Sequence, residues 1–193
     1  HISAYTLILE EDTQLYNRVV SGELKLPKEE KVVSMFDYVL KQTAEAGYKR
    51  YEVSNFAKDN YACKHNVNCW SMCNYVGFGC SAHSFFKTTR FNNISNVKDY
   101  IYNINNNISV VENSEVLDTL LLIEESVMLG LRMTKGVDLD RLKTLYNYDL
   151  LLDKSHEIND LKALGLIEYD THYLWATTEG FYVLNQIILK LVN

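Results

Sequence analysis

Residues 27–56 read PKEEKVVSMFDYVLKQTAEAGYKRYEVSNF, and the period of their apolar side chains changes part-way along. After Pro27, a residue suited to a helix's first turn, Val33, Phe36, Leu40 and Ala44 recur at helical spacing up to Gly47, a helix-ending residue. From Arg50 to Phe56 the pattern becomes that of a strand. Upstream, residues 2–9 form a nearly continuous apolar run closed by Glu10 and Glu11, the mark of a strand buried on both faces of a sheet. Strand, helix and strand in this order predict a βαβ unit of a parallel sheet. A buried-strand pattern at the very start, with no cap or leader before it, predicts a first strand whose neighbour lies outside this chain.

Toward the C-terminus, residues 75–79 (YVGFG) read as a short strand or turn and residues 85–91 as an aromatic, Thr-rich edge strand. Val97, Tyr100, Ile101 and Ile104 place a short helix in the Asn-rich stretch 92–107. The connector after it sets a boundary between a first domain, 1–107, and a second, 108–193. In the second, Val116, Leu120, Ile123, Val127 and Leu131 define a long amphipathic helix with Ser114 as N-cap and Gly136 closing the region. Helices over 139–146, 151–164 and 179–191 are predicted, with a hairpin from LIEYD and HYLWATT after Gly165. Helix, glycine, strand, turn, strand is a winged-helix-like outline.

With 47% hydrophobic and 23% charged residues the composition is that of a globular protein. A net charge of −6 argues against binding to nucleic acid, which needs a cationic face. The helix expected over 149–164 agrees, setting Asp153, Glu157 and Asp160 against Lys154 and Lys162. No apolar run reaches the roughly 18 residues of a membrane span, and the first residues lack a basic flank or cleavage site, so the expected location is cytoplasmic. Cys63, Cys69, Cys73 and Cys80 form no CxxC pair, which favours reduced thiols over a structural zinc site.

Four strings, in order, carry a family resemblance: HISAYTLILEEDT from His1, YEVSNFAK from Tyr51, CKHNVNCW from Cys63 and YVGFGCSAHS from Tyr75. FNN from Phe91, ESVMLGLRMTKGVD from Glu125, GLIEYD from Gly165 and TTEGFYVLN from Thr177 continue it to the end. Together they resemble the HemW-type radical-SAM haem chaperones, relatives of oxygen-independent coproporphyrinogen III oxidase. The resemblance implies an α/β fold: the closing strands and helices of a partial (βα) radical-SAM barrel, then a mainly helical, winged-helix-like C-terminal domain. In the full-length family a CxxxCxxC motif holds a [4Fe–4S] cluster that binds S-adenosylmethionine. Here Cys69 and Cys73 share its first spacing but no third cysteine follows, so the cluster cysteines are not in this chain, which by itself is expected to generate no radical. The resemblance also implies haem-accepting partner proteins, self-association and peripheral membrane association.

The HNxxYW pattern of the chaperone branch stands here as His65, Asn66, Val67, Asn68, Cys69 and Trp70, with Cys in place of Tyr. The resemblance thus assigns haem to His65, Asn66, Cys69 and Trp70. His65 offers a neutral imidazole as iron ligand and Trp70 a ring to cover a porphyrin face. Cys69 either adds a thiolate, also a haem ligand, or fills part of the Tyr ring's space. Gly77 and Gly79 resemble a glycine turn at the barrel mouth whose amides approach a cofactor. His83 is a second histidine nearby. Glu52 and Ser54 sit where barrel enzymes place functional groups, or else simply shape a turn. Glu124, Glu125 and Arg132 read as the solvated face of the long helix. No catalytic residue is assigned. The expected function is haem binding and transfer to haemoproteins; the alternative is part of an oxygen-independent coproporphyrinogen III oxidase, which decarboxylates propionate side chains oxidatively. HNVNCW favours the first.

Overall fold

Residues 2–9 do not form the long strand that their apolar run predicts. In the computed structural model, which describes residues 1–192, only β1 (Ile2–Ser3) is strand, and Tyr5, Leu7 and Ile8 are 70%, 60% and 75% exposed. A strand buried on both faces needs strands along both edges and helices over both faces, whereas β1 pairs along one edge only, through Ile2 with Phe56 and Ser3 with Asn55. Next comes α1 (Gln14–Val20), whose N-cap Thr13 accepts from the Tyr16 amide. The helix read from the sequence does form, as α2 (Glu29–Glu45). Gly47 at φ +79 ends it, and the amides of Gly47 and Tyr48 return to the carbonyls of Ala44 and Thr43.

The second predicted strand is split into a hairpin, β2 (Lys49–Glu52) and β3 (Asn55–Ala57). Buried Glu52 makes the turn: its Oε2 accepts from the Ser54 amide at 3.0 Å and from Asn55 Nδ2 at 2.6 Å. Glu52 and Ser54 therefore shape the turn. Both pairings in the order β1-β3-β2 are antiparallel, so β1 and β2 run parallel with β3 between them, and the predicted direct parallel pairing does not occur. These elements make up the first of two units, His1–Cys63; the other is Lys64–Asn193.

The second unit opens with α3 (Lys64–Trp70). The stretch 85–91 is not one strand but falls in the hairpin of β4 (His83–Phe86) and β5 (Thr89–Asn93), with Lys87 left-handed at φ 58 in its turn. Then come α4 (Val97–Asn105), capped by Asn96, and β6 (Val111–Val116), which completes a sheet of order β4-β5-β6. The boundary set at 107/108 thus lies inside this unit, with β5 and β6 paired across it. Ser114 is not a helix cap, because it lies opposite Phe91 in that ladder. Asp118 takes the role, accepting from the Leu121 amide at 2.9 Å to start α5 (Thr119–Arg132).

Beyond α5 the chain forms β7 (Val137–Asp138), α6 (Leu139–Tyr146), α7 (Leu150–Asp153) and α8 (Ser155–Ala163), then β8 (Ile167–Tyr169), β9 (Tyr173–Ala176), α9 (Thr178–Tyr182) and α10 (Leu184–Val192). The helices predicted over 151–164 and 179–191 are each broken, at Lys154 and Val183, where the backbone leaves helical values. The third sheet has the order β7-β9-β8. Leu131, Ile167, Leu174 and Ile187 are fully buried where α5 and α10 pack, each contributing about 1.5–3 kcal/mol of apolar burial. A second cluster of Met72, Phe85, Leu117 and Leu122, with Tyr75, Leu129 and Tyr146 against it, joins the exit of α3 to β4 and α5. Among the described residues no helix is long and apolar enough to cross a membrane.

At the turn between β8 and β9, His172 Nδ1 lies 2.6 Å from Asp140 Oδ2. That hydrogen bond, then the Asp140 charge, raises the His172 pKa above its ordinary 6.5. The sign follows: the pair favours the fold below about pH 6.5, and its contribution is lost as pH rises through the raised value. An NMR titration should place the His172 midpoint above 6.5, and Asp140→Asn should bring it down. A midpoint indifferent to that substitution would refute the pairing.

Candidate functional site

Because residues four apart share a helix face, α3 sets His65 beside Cys69, with Nε2 and Sγ 3.8 Å apart. The exposed His65 ring also meets Tyr75 edge-on, centroids 6.2 Å apart. Trp70 is half-buried, and the Arg132 guanidinium lies over its ring at 4.9 Å. Asn66 is half-buried on the same helix.

The end of α3 is held from α6. Arg141 donates from Nη1 to the Ser71 carbonyl and from Nη2 to the Met72 carbonyl at 3.2 Å, a cation on a helix C-terminus. Buried Met72 also lies 3.2 Å from the Ser126 hydroxyl through its sulfur. The helix carrying His65, Cys69 and Trp70 is thereby tied to both α5 and α6.

Between α3, β4, β5 and α5 lies a cleft of about 220 Å³, lined by Cys69, Trp70, Met72, Tyr75, Phe85, Arg90, Glu125, Met128 and Leu129. Its lining is mostly apolar, with the rings of Trp70, Tyr75 and Phe85 and few polar groups. Arg90 Nη2 donates to Glu125 Oε1 at 2.6 Å and to Glu115 Oε2 at 3.2 Å. Burial works against the guanidinium charge, yet the hydrogen bond and charge of Glu125, with Glu115, hold its pKa above the ordinary value. Burial first, then the neighbouring Cys69, pushes the Tyr75 phenol up against the pull of Arg90, so Tyr75 is a neutral O–H donor at pH 7.

The structure brings Cys69 and Trp70 to this cleft, with His65 one turn from Cys69. It does not bring Gly77, Gly79 or His83 to its lining. The Gly77 amide donates to Ser84 Oγ at 3.0 Å and the Gly79 amide to the Tyr100 hydroxyl at 3.1 Å, so the glycine turn spends its amides on its own scaffold. Gly77 is required there because a Cβ would run into the His83 carbonyl. Glu125 and Arg132 are not a solvated face: Glu125 is 18% exposed and bound to Arg90, while Arg132 covers Trp70. Sequence reasoning missed Arg90, Glu125, Met128 and Leu129. The last three sit at i, i+3 and i+4 on α5, a stripe that looks like ordinary helix surface until β5 is folded against it. Among the described residues the cysteines form no disulfide, and no three His, Cys, Asp or Glu side chains converge as a metal site.

Residues 118–183 match the family described as "HemN C-terminal domain". The fold comparison agrees: a structure titled "Coproporphyrinogen III oxidase (HemN) from Escherichia coli is a Radical SAM enzyme" superposes with TM-score 0.67 and 14% identity, over 91% of this chain and 44% of that one. The fold class is therefore α/β, shared with a radical-SAM protein. In sequence, the chain is 35% identical to "Heme chaperone HemW" of Bacillus subtilis over 187 residues, covering 97% of this chain and 49% of that protein. For the protein of the same name in Lactococcus lactis the identity is 32%, over 98% and 50%. "Radical S-adenosyl methionine domain-containing protein 1, mitochondrial" of Danio rerio is 29% identical, over 97% and 45%. The chain spans about half the length of the curated relatives it matches. Over nearly its whole length the chain is thus similar to HemW-type haem chaperones, and residues 118–183 to the C-terminal domain of HemN.

Proposed function

We propose that this chain is the haem-holding part of a haem chaperone that passes haem unaltered to recipient haemoproteins in the cytoplasm. The observation that carries this reading is the α3 arrangement: two haem-ligand types, the His65 imidazole and the Cys69 thiol, 3.8 Å apart beside an aromatic-lined cleft. The residues fit the cargo. His65 or Cys69 would bind the iron, while Trp70, Tyr75 and Phe85 would lie against the macrocycle. Asn66 is part of the same proposed set, in which His65 is the iron ligand. Gly77 and Gly79 support it only from behind, through the scaffold bonds of their amides.

The proposal extends to architecture, with closing strands and helices of a (βα) barrel followed toward the C-terminus by a winged-helix-like domain. It extends also to partners, which are haem-accepting proteins, further copies of the protein and the membrane surface, with no nucleic acid. Whole relatives named for radical-SAM chemistry bring a [4Fe–4S] cluster and S-adenosylmethionine. The cysteines of this chain do not fit that cluster, since Cys63, Cys69, Cys73 and Cys80 join no metal-binding group of three among the described residues.

An anaerobic haem titration followed by absorption spectroscopy tests the reading. A saturable one-to-one complex is expected, with its Soret band shifted in His65→Ala and altered in Cys69→Ala. Absence of a complex overturns the proposal; identical spectra in all three proteins remove His65 and Cys69 as ligands.

A further inference from the structure

Among the described residues Arg90 is the one cation lining the cleft. It sits on the central strand of β4-β5-β6, hydrogen bonded on both edges, so its Cα is fixed before any ligand arrives. Both of its carboxylate bonds leave from Nη2. A guanidinium carries five N–H donors, and those on Nη1 and Nε have no protein acceptor among the described residues. The guanidinium thus stands beside flat apolar side chains with donor capacity unused. A planar apolar body with an anionic edge is the chemistry that matches such a wall and such a fork.

We infer that Arg90 is the carboxylate anchor of the cleft, selecting porphyrins that carry a free propionate. The inference rests on the haem-holding reading and adds to it the group by which the cargo is recognised. The two protein carboxylates act against an incoming one. Glu125, 18% exposed, keeps the guanidinium in place, whereas Glu115, directly across the ladder and 59% exposed, is held in water-rich surroundings and adds mainly repulsion. Arg90 then grips a propionate through Nη1 and Nε while Nη2 stays on Glu125.

Haem and haem dimethyl ester, which lacks the two charges but keeps the macrocycle and iron, are titrated in parallel into the full 193-residue chain and into Arg90→Gln and Glu115→Gln. The wild type should bind haem about tenfold more tightly than the ester, and Arg90→Gln should bring that ratio close to one by weakening haem alone. Glu115→Gln should raise the ratio severalfold, a change of opposite sign that misfolding does not produce. Equal affinity of the wild type for both ligands, or a Glu115→Gln ratio that fails to rise, overturns the anchor while leaving the haem-holding reading in place. Should Arg90→Gln lose both ligands together, the Glu115→Gln ratio decides. If the wild type binds neither ligand, the haem-holding reading falls and the anchor with it.

Discussion

Gly136→Ala should cost this chain about 3 kcal/mol or more, an unusual penalty for one methyl group. Two effects add. Gly136 sits at φ +88, where an L side chain strains against its own carbonyl. A Cβ there would also be driven into the main-chain carbonyl of Leu174 and against the Cβ of Trp175. Leu174 is fully buried on β9, the central strand of β7-β9-β8, so it has no slack to give. A melt followed by far-ultraviolet circular dichroism should fall by roughly 10 °C. Gly165→Ala is the control, since Gly165 has φ +71 but open space around its missing Cβ. It should lose only the conformational share, about 1–2 kcal/mol. If the two variants melt alike, the collision with β9 is not real.

Arg141→Ala should lose about 2–3 kcal/mol, because the half-buried carbonyls of Ser71 and Met72 then lack their charged donor. The loss should be local in its first effect. Amide exchange in α3, from Lys64 to Trp70, should accelerate well before that of α5 and α10, whose buried Leu131 and Ile187 are untouched. Arg141→Lys should recover only part, because an ammonium keeps the charge but cannot fork to two carbonyls. Protection of α3 unchanged in Arg141→Ala would mean that the helix is held by Met72 packing alone.

Periodicity carried some elements and not others for physical reasons. Helix α2 and helix α6 were readable because amphipathic spacing and end signals agree within one short segment. Ser114 looked like a cap because Ser before an apolar period satisfies the local rule, and pairing with β5 overrode it from a distance. The apolar run at residues 2–9 announced a strand whose burial depends on neighbours that a local pattern does not supply. The site divided in the same way. His65, Cys69 and Trp70 fall within six consecutive positions of one motif, so a sequence reading reaches them. Arg90 and Glu125 are 35 residues apart, and only the packing of β5 on α5 makes them partners.

The β5–β6 pairing bears on the order in which the second unit can assemble. During synthesis the β4–β5 hairpin emerges early, with one edge of β5 unsatisfied and the Arg90 charge lacking both carboxylates. Helix α4 must be made before β6 can close that edge, and α5 must follow before Glu125 arrives. Helix α3 waits longer still, since its last carbonyls depend on Arg141. Contacts this distant in sequence favour late, concerted ordering over stepwise growth from the N-terminal side. Helix α3 is therefore a product of the finished C-terminal bundle, and a nascent chain that has made HNVNCW has not yet made the cleft beside it.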